Sequence, residues 1–529
     1  MYINNNERKR DVNVVKGALA LTLSVIFVKI IGLVYKVPLS YVLGDDGMGY
    51  FNSAYTVFTF FYMLCSGGVP RAVSILITEM RVKGREETVP SVLRVALAVF
   101  VSLGAVFTLV FICFSGAISR MIGNSLSCFS LVAIAPALTF VAASGVLRGY
   151  LVGYGKMGSV ALSEMLDASV KFIVGMSFAL FALRRNLSSP MISAYTVIGV
   201  TLGAFIGSVI LFISVNITKK EHKTEQKLQN RIKPRTVIRS ILEVSLPITI
   251  SSAIMGICNI VDLGMIMRRL GAIGIPEAQA VALYGNFTTL VVPMLNLVTA
   301  LTSPIGTSAL PRLAEDFARN DTRGFKEFFG RTVSVTAFFT VPIAVGFSHF
   351  PFEILSLIFK DESARAAAPL LVIIAPSVVL MPLLTMVHTA LEASKHQRMP
   401  IISMLVLAAA KITSSYVLIG RLGIGGAPLG TTVSYALAFA VSVAILGFSV
   451  KVSPFVFLGL LRPMLCAFLA VGTGRRVYDA YSQRADQMLL FIICVMICIA
   501  LYFIFMILLS MISGKKSFFS VIFNKKREA

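Results

Sequence analysis

Apolar runs of about 20 residues or more recur along the whole chain, and they restrict its fold more than any other feature. A soluble chain of 529 residues would divide into domains with polar connections, whereas here the polar stretches between apolar runs are short. We therefore predict an all-α, polytopic membrane protein of about fourteen transmembrane helices. The predicted spans are 15 to 43, 48 to 80, 90 to 115, 126 to 150, 157 to 183, 190 to 217, 237 to 268, 278 to 311, 328 to 350, 364 to 393, 399 to 420, 424 to 450, 454 to 474 and 486 to 513.

The charges in the loops predict the orientation of these spans. An even number of spans places both termini on one side of the membrane, and Lys and Arg are concentrated in the loops on that side. Because positive residues collect in short cytoplasmic loops, we expect both termini to be cytoplasmic. The net charge of +23 then reflects orientation and contact with anionic membrane lipid, so we expect no nucleic-acid partner.

An internal repeat predicts how the helices are grouped. "APALTF" at 135–140 is followed by "APSVVL" at 375–380, and the same offset relates Lys171 to Lys411, although chance similarity of two apolar segments is the alternative. The longest polar connection, "TKKEHKTEQKLQNRIKPR", separates the two copies. We expect two six-helix lobes around a central cavity, followed by two further helices. The predicted divisions are an N-terminal lobe at 1–217, a cytoplasmic linker at 218–236, a C-terminal lobe at 237–450, and helices 13 and 14 with a basic cytoplasmic tail at 451–529.

Two lysines in the first span mark a candidate binding site. A cation deep in a membrane helix costs about 2.5 to 3.5 kcal/mol, so it needs a wet cavity, a counter-ion or a ligand. Lys29 and Lys36 are two helical turns apart and share one face. We expect Lys29 to face the cavity, while for Lys36 the cavity and snorkelling to the headgroups are equal alternatives.

Four further charged residues extend this site in the N-terminal half. Arg71 follows "GGVP", where glycine and proline would loosen the second helix, and it has no acidic neighbour on that helix. Glu164, Asp167 and Lys171 lie along one face of the fifth helix. Asp167 and Lys171 either neutralise each other or face the cavity, and Arg71 either lines the cavity or pairs with another helix.

The C-terminal half offers fewer charges. Lys411 is its intramembrane cation, and Asp262 is either a proton or sodium site or a hydrogen-bond partner between helices. Glu164 is the other candidate for ion coupling, and we interpret His388 as a core histidine. The cations exceed the acids in the N-terminal lobe, which favours an anionic cargo such as a phosphate over a cationic one.

Catalytic and metal sites lack sequence support. The chain has no Walker glycine loop, HExxH or GxSxG motif, and its four histidines and seven cysteines show no metal-ligand spacing. We expect no enzyme activity, no catalytic residue, no metal and no cofactor. Energy for transport would come from an ion gradient, the membrane potential or removal of the substrate.

Several stretches carry a family resemblance that covers nearly the whole chain: "GMGYFNSAYTVF", "GGVPRAVSILITE" and "LRGYLVGYGKMGSVALSEMLDASVK" at 147–171. They resemble the polysaccharide biosynthesis and stage V sporulation protein B branch of the multidrug, oligosaccharidyl-lipid and polysaccharide (MOP) exporter superfamily, which is related to lipid II flippases. The motif residues are Arg148, Gly149, Tyr150, Gly153, Lys156, Met157, Asp167 and Lys171. The resemblance implies a bacterial cell-membrane transporter. It would flip an undecaprenyl-pyrophosphate-linked saccharide from the cytoplasmic to the outer leaflet by alternating access, for cell-wall, spore-cortex or polysaccharide synthesis.

The resemblance transfers to the candidate site only in part. Lys29 matches a cavity-lining arginine of the lipid II flippases, so the charge is kept and the bidentate fork is lost. Their second cavity arginine falls near Tyr35, beside Lys36. Where Gram-negative lipid II flippases have an Asp-Arg pair, this chain has Asn286 and Phe287. The resemblance therefore supports the fold, but it does not carry over the ion coupling or lipid II as the cargo.

Three functions are consistent with this sequence. The leading hypothesis is a monomeric flippase whose N-terminal cations hold the pyrophosphate, with membrane lipid and a monovalent ion as further partners. An ion-coupled multidrug efflux transporter would instead use Asp262 or the acidic strip at Asp167. A scaffold that transports nothing would tolerate removal of the cavity charges.

Overall fold

The computed structural model describes residues 5–221, 234–396, 398–483 and 486–512, and every regular element in these ranges is helical. Nine helical stretches there are long and apolar enough to cross a membrane, or up to 11 if each of two bent pairs is one crossing. The all-α polytopic class is confirmed. The count is below fourteen partly because Leu23–Val82 and Met399–Val450, with 60 and 52 residues, each contain two predicted spans.

Packing divides the chain into two compact units, Met1–Gly285 and Asn286–Ala529. The predicted linker at 218–236 lies inside the first unit, and its residues 222–233 fall outside the described residues. The tail from 513 onward also falls outside them. Helix Pro234–Ala272, which the sequence assigned to the C-terminal lobe, packs in the first unit. The lobe boundaries stay a prediction, because grouping by contacts is a different criterion from grouping by repeats.

The described residues of the first unit form nine helices. They are α1 Asn5–Ser66, α2 Val69–Val82, α3 Val89–Met121, α4 Cys128–Ile134, α5 Ala137–Gly153, α6 Met157–Arg184, α7 Ser189–Glu221, α8 Pro234–Ala272 and α9 Glu277–Asn286, with 3₁₀ turns at Glu86–Thr88 and Ser125–Ser127.

Helix α1 reverses direction at Gly44, which has φ 66° and ψ −178°. The ring centroids of Tyr35 and Phe51 lie 6.4 Å apart, whereas a straight helix would separate these residues by about 24 Å. Glycine can adopt this backbone conformation because it lacks a Cβ. The reversal gives α1 two arms and brings Tyr35 on the first arm near Phe51 on the second.

In the second unit, the residues that the structure describes form nine more helices. They are α10 Val292–Ala318, α11 Thr322–His349, α12 Pro351–Ser356, α13 Asp361–Ile374, α14 Ser377–Ala393, α15 Met399–Leu422, α16 Gly426–Val450, α17 Leu461–Tyr481 and α18 Gln487–Ile512, with a π turn at Phe287–Val291 and 3₁₀ turns at Gly423–Gly425 and Pro454–Leu460. The last two helices pack against α11 through a buried cluster that includes Phe338, Val341, Cys466, Phe491 and Tyr502.

Glycines spaced four residues apart set two close helix contacts in the first unit. On α5, a Cβ at Gly149 would lie 2.7 Å from the Pro70 carbonyl oxygen of α2. On α7, a Cβ at Gly203 would lie 2.7 Å from the carbonyl oxygen and from Oδ1 of Asp167 on α6. Small residues allow membrane helices to approach closely, so these contacts fix where α6 presents Asp167 and Lys171.

We expect Gly203→Leu to destabilise the protein by about 1–3 kcal/mol, because the added side chain overlaps the α6 backbone. Gly116→Ala is the matched control, since a Cβ there meets nothing within 4 Å and α3 is an ordinary helix. Thermal unfolding of the purified proteins in detergent measures both. Equal melting temperatures for the two variants would contradict the close packing of α6 and α7.

Candidate functional site

Three side chains from α1 and α6 form a cationic group in the first unit. Lys171 Nζ donates a hydrogen bond to Tyr55 Oη at 3.1 Å, and the same ammonium lies 4.5 Å from the centroid of the Tyr55 ring. Lys36 is within electrostatic range of Lys171. We call Lys36, Tyr55 and Lys171 the lysine site. It brings together two of the predicted cavity cations from helices that are distant in sequence.

Glu164, an acidic residue of α6, contacts side chains of two other helices. Arg148 Nη1 lies 3.4 Å from Glu164 Oε1, and the Ser24 hydroxyl donates to Glu164 Oε2 at 3.3 Å. Glu164 therefore joins α5 and the first arm of α1 to α6. Glu164 is thus paired with Arg148. Its role in ion coupling stays a prediction.

Asp167 lies one turn from Lys171 and makes neither an ion pair nor a hydrogen bond with any other residue that the structure describes. It is within electrostatic range of Arg148 and Lys171. Both Asp167 and Arg148 line a pocket of about 230 Å³ that also includes Tyr62 and Ser144. In the predicted acid and base strip on α6, Glu164 and Lys171 thus have separate partners, and the strip does not close into one salt bridge.

The other two residues of the Arg-Gly-Tyr motif contribute to packing. Gly149 allows α5 to approach α2, and Tyr150 is buried, with its ring centroid 4.8 Å from that of Tyr154. Of these three motif residues, Arg148 is therefore the one whose side chain lines the pocket and pairs with Glu164.

Lys29 and Arg71 make no described contact with the residues of the lysine site. Both side chains are exposed, on α1 and α2 respectively. Within the described part of the chain, neither makes an ion pair or a hydrogen bond. Their assignment to the cavity stays a prediction.

Asp262 and Lys411 belong to different units. Asp262 is half-buried on α8 of the first unit, within electrostatic range of Tyr284, whose hydroxyl is 3.2 Å from that of Thr56. Lys411 is half-buried on α15 of the second unit, within electrostatic range of Tyr435. Their roles in ion coupling and substrate binding stay predictions.

His388 is a core residue, as its sequence context predicts. It is buried, and its Nε2 lies 2.8 Å from the Ser403 hydroxyl and 3.2 Å from that of Ser442. In the residues open to description, His, Cys, Asp and Glu side chains form no group of three or more that could hold a metal ion.

Sequence reasoning missed the aromatic side chains of the site. Phe51, Tyr55, Phe58 and Tyr62 follow one face of the second arm of α1, with successive centroids 5.9, 5.9 and 6.1 Å apart. Tyr55 contacts Lys171, and Tyr62 lines the pocket. Their helical spacing was the available signal, but the same spacing occurs on faces that contact lipid or core.

Comparison with known proteins identifies two family matches and several relatives. Residues 14–317 match the family described as polysaccharide biosynthesis protein, and residues 247–417 match MatE. Stage V sporulation protein B of Bacillus subtilis (strain 168) is 22% identical over 488 residues, which cover 89% of this chain and 91% of that protein. Lipid II flippase MurJ of the same organism is 22% identical over 436 residues, covering 79% and 80%.

The solved structures show the same fold. Lipid II flippase MurJ in an inward closed conformation aligns with a TM-score of 0.72 at 16% identity, over 93% of this chain and 99% of that one. At this identity the similarity establishes the architecture and leaves the ligand to be argued from the side chains.

Proposed function

The chain belongs to the polysaccharide biosynthesis protein family of the MOP superfamily, and from this premise we propose that it flips a prenyl-pyrophosphate-linked saccharide from the cytoplasmic to the outer leaflet. The family consists of multi-pass membrane transporters and not of enzymes. In our proposal the protein works as a monomer by alternating access, and both termini are cytoplasmic. The similarity to lipid II flippase MurJ and to stage V sporulation protein B supports a cargo of this class.

The lysine site is the observation that carries the proposal. Lys36 and Lys171 are like charges within electrostatic range of each other, so the two ammonium groups repel. A diphosphate bound between them would relieve that repulsion and accept charge-assisted hydrogen bonds. Lys29 and Arg71, exposed on α1 and α2, are proposed as further contacts for the anionic headgroup, and Lys411 is proposed as a substrate contact of the second unit by itself.

An efflux transporter for small organic molecules is the second candidate. The MatE match at residues 247–417 favours it, and Asp167 or Asp262 would be its coupling acid. The excess of cations in the first unit disfavours a cationic cargo, because like charges repel it.

Proteoliposomes test the cargo directly. Lipid II, or another prenyl-pyrophosphate saccharide, is placed in the inner leaflet, and its headgroup is detected on arrival outside by a reagent that cannot cross the membrane. We expect wild type to expose the headgroup. Lys29→Ala and Arg71→Ala should each slow this about tenfold, because a hydrogen bond to a charged group contributes about 1.5–3 kcal/mol.

Lys83→Ala is the matched control, since Lys83 pairs with Glu79 on the exposed surface of α2. It should transport like wild type. Movement of small cations without any movement of the lipid would replace the flippase with the efflux transporter. Full transport by both Lys29→Ala and Arg71→Ala would remove these two residues from the site.

A further inference from the structure

The pocket beside the lysine site lies where five helices meet. Tyr62 and Ser66 come from the end of α1, Ser144 and Arg148 from α5, and Asp167 from α6, while α2 and α7 complete the wall. The helical path of the chain is interrupted here, since α1 ends at Ser66 and α2 begins at Val69. Irregular backbone in a transporter is tolerated where it lines a cavity.

The charges of the pocket select a neutral ligand. Its lining contains one carboxylate, Asp167, and one guanidinium, Arg148. Arg148 also pairs with Glu164, and Asp167 is within electrostatic range of both Arg148 and Lys171, so two acids and two bases balance around the pocket. A bound cation would be opposed by Arg148, and a bound anion by Asp167. A neutral molecule that carries both donors and acceptors meets neither opposition.

The polar groups of the pocket have unused hydrogen-bonding capacity. Arg148 Nε is buried and has no hydrogen-bond partner among the described residues. Over the same residues, the Asp167 carboxylate and the Ser144 hydroxyl make no hydrogen bond either. Buried polar groups normally have partners, so a ligand with several hydroxyl groups would satisfy what the protein leaves open.

The remaining lining is apolar and aromatic. Tyr62 provides a half-buried ring, and Val141, Met63 and Ala204 add aliphatic surface. A volume of about 230 Å³ is below the roughly 300–1,000 Å³ of pockets for drug-sized ligands, which suits a single ring. The Tyr62 ring can stack against the apolar face of a pyranose. The polar groups at the edge of the pocket can form hydrogen bonds with its hydroxyl groups.

We propose that this pocket binds one neutral sugar ring of the lipid-linked saccharide, next to the lysine site that takes its pyrophosphate. The inference rests on the proposed function for the identity of the whole cargo. The pocket itself can be tested with a sugar alone.

The chain contains no tryptophan, so Tyr62→Trp introduces a single fluorescent reporter that keeps an aromatic ring in the pocket. The full-length protein in detergent is titrated with the methyl glycosides of glucose, galactose and N-acetylglucosamine, which carry no phosphate. We expect a saturable change in emission with at least one of them. Adding Asp167→Ala to this variant should weaken binding about tenfold or more.

Tyr195→Trp is the control reporter, since Tyr195 lies on α7 against Phe178 and Phe181 and outside the pocket lining. It should not respond to any glycoside. The proposal is overturned if no glycoside changes the emission of Tyr62→Trp, if Tyr195→Trp responds equally, or if Asp167→Ala leaves the affinity unchanged.

A transport assay with two lipids distinguishes sugar binding in the pocket from the proposed flippase function. With the saccharide lipid, Tyr62→Ala should be about tenfold slower than wild type and Tyr62→Phe close to it, because phenylalanine keeps the ring. With bare prenyl pyrophosphate, Tyr62→Ala should match wild type, whereas Lys171→Ala should fail with both lipids. Equal slowing of both lipids by Tyr62→Ala would contradict sugar recognition. If wild type moves neither lipid, the proposed function fails, and the glycoside titration alone decides the pocket.

Discussion

Lys171→Ala is expected to slow headgroup transfer by about 10- to 100-fold, the largest effect of any single cation. The fold fixes the position of the Lys171 ammonium, because Tyr55 both accepts its hydrogen bond and places a ring under it. Its loss would remove about 1.5–3 kcal/mol of charge-assisted binding to the diphosphate. The measurement is the initial rate of headgroup exposure in proteoliposomes at equal protein content.

Graded substitutions distinguish charge from shape at this position. Lys171→Arg keeps the charge and should retain much of the activity, while Tyr55→Phe keeps the ring and should cost only a few-fold. Lys156→Ala removes a lysine that pairs with Glu221 on the exposed surface at 2.7 Å, and it should behave as wild type. If folded Lys171→Ala protein exposes the headgroup at the wild-type rate, the lysine site is not the anion site.

Arg475→Ala is expected to destabilise the second unit by about 3 kcal/mol. Arg475 Nη1 donates one hydrogen bond to Glu353 Oε1 at 2.9 Å and one to the His349 carbonyl oxygen at 2.8 Å. These two bonds connect α17 to α12 and to the end of α11. The Glu353 side chain is only 9% exposed, so alanine at 475 would leave a buried carboxylate without its counter-ion. Thermal unfolding in detergent should show a lower melting temperature.

Two comparisons isolate this buried pair. Adding Glu353→Gln to Arg475→Ala should recover part of the stability, because the uncompensated charge disappears. Arg323→Ala breaks an exposed pair with Glu327 and should cost less than about 1 kcal/mol. If Arg475→Ala melts at the same temperature as Arg323→Ala, the Glu353 contact contributes no more than a surface salt bridge.

The parts of the fold that could be predicted from sequence are those with a strong compositional signal. Apolar runs of membrane length gave the helices and the membrane class, since a bilayer demands them. Lys36 and Lys171 were identifiable because a cation in such a run is costly and rare. The sequence could not show that Tyr55 is the group that meets Lys171, because a tyrosine in an apolar helix carries no such penalty.

The pairing of charges depended on three-dimensional contacts. The spacing of Glu164, Asp167 and Lys171 indicates that they share a face, and it leaves open which partners reach them from other helices. Glu164 meets Arg148 from α5, and Lys171 meets Tyr55 from α1. The reversal at Gly44 falls between the predicted spans 15 to 43 and 48 to 80, but the limits of these spans do not show that it brings Tyr55 into range of Lys171.

The close glycine contacts have a mechanical consequence for the first unit. Where the backbones of α5 and α2, or of α7 and α6, nearly touch, neither helix can slide along the other without steric overlap. Each pair should therefore move as one stiff element. Bending can occur where the chain departs from helical geometry, and two such places are Gly44 and the break between Ser66 and Val69. The second arm of α1 lies between these two points, so we expect it to move as a rigid helix that pivots at its two ends.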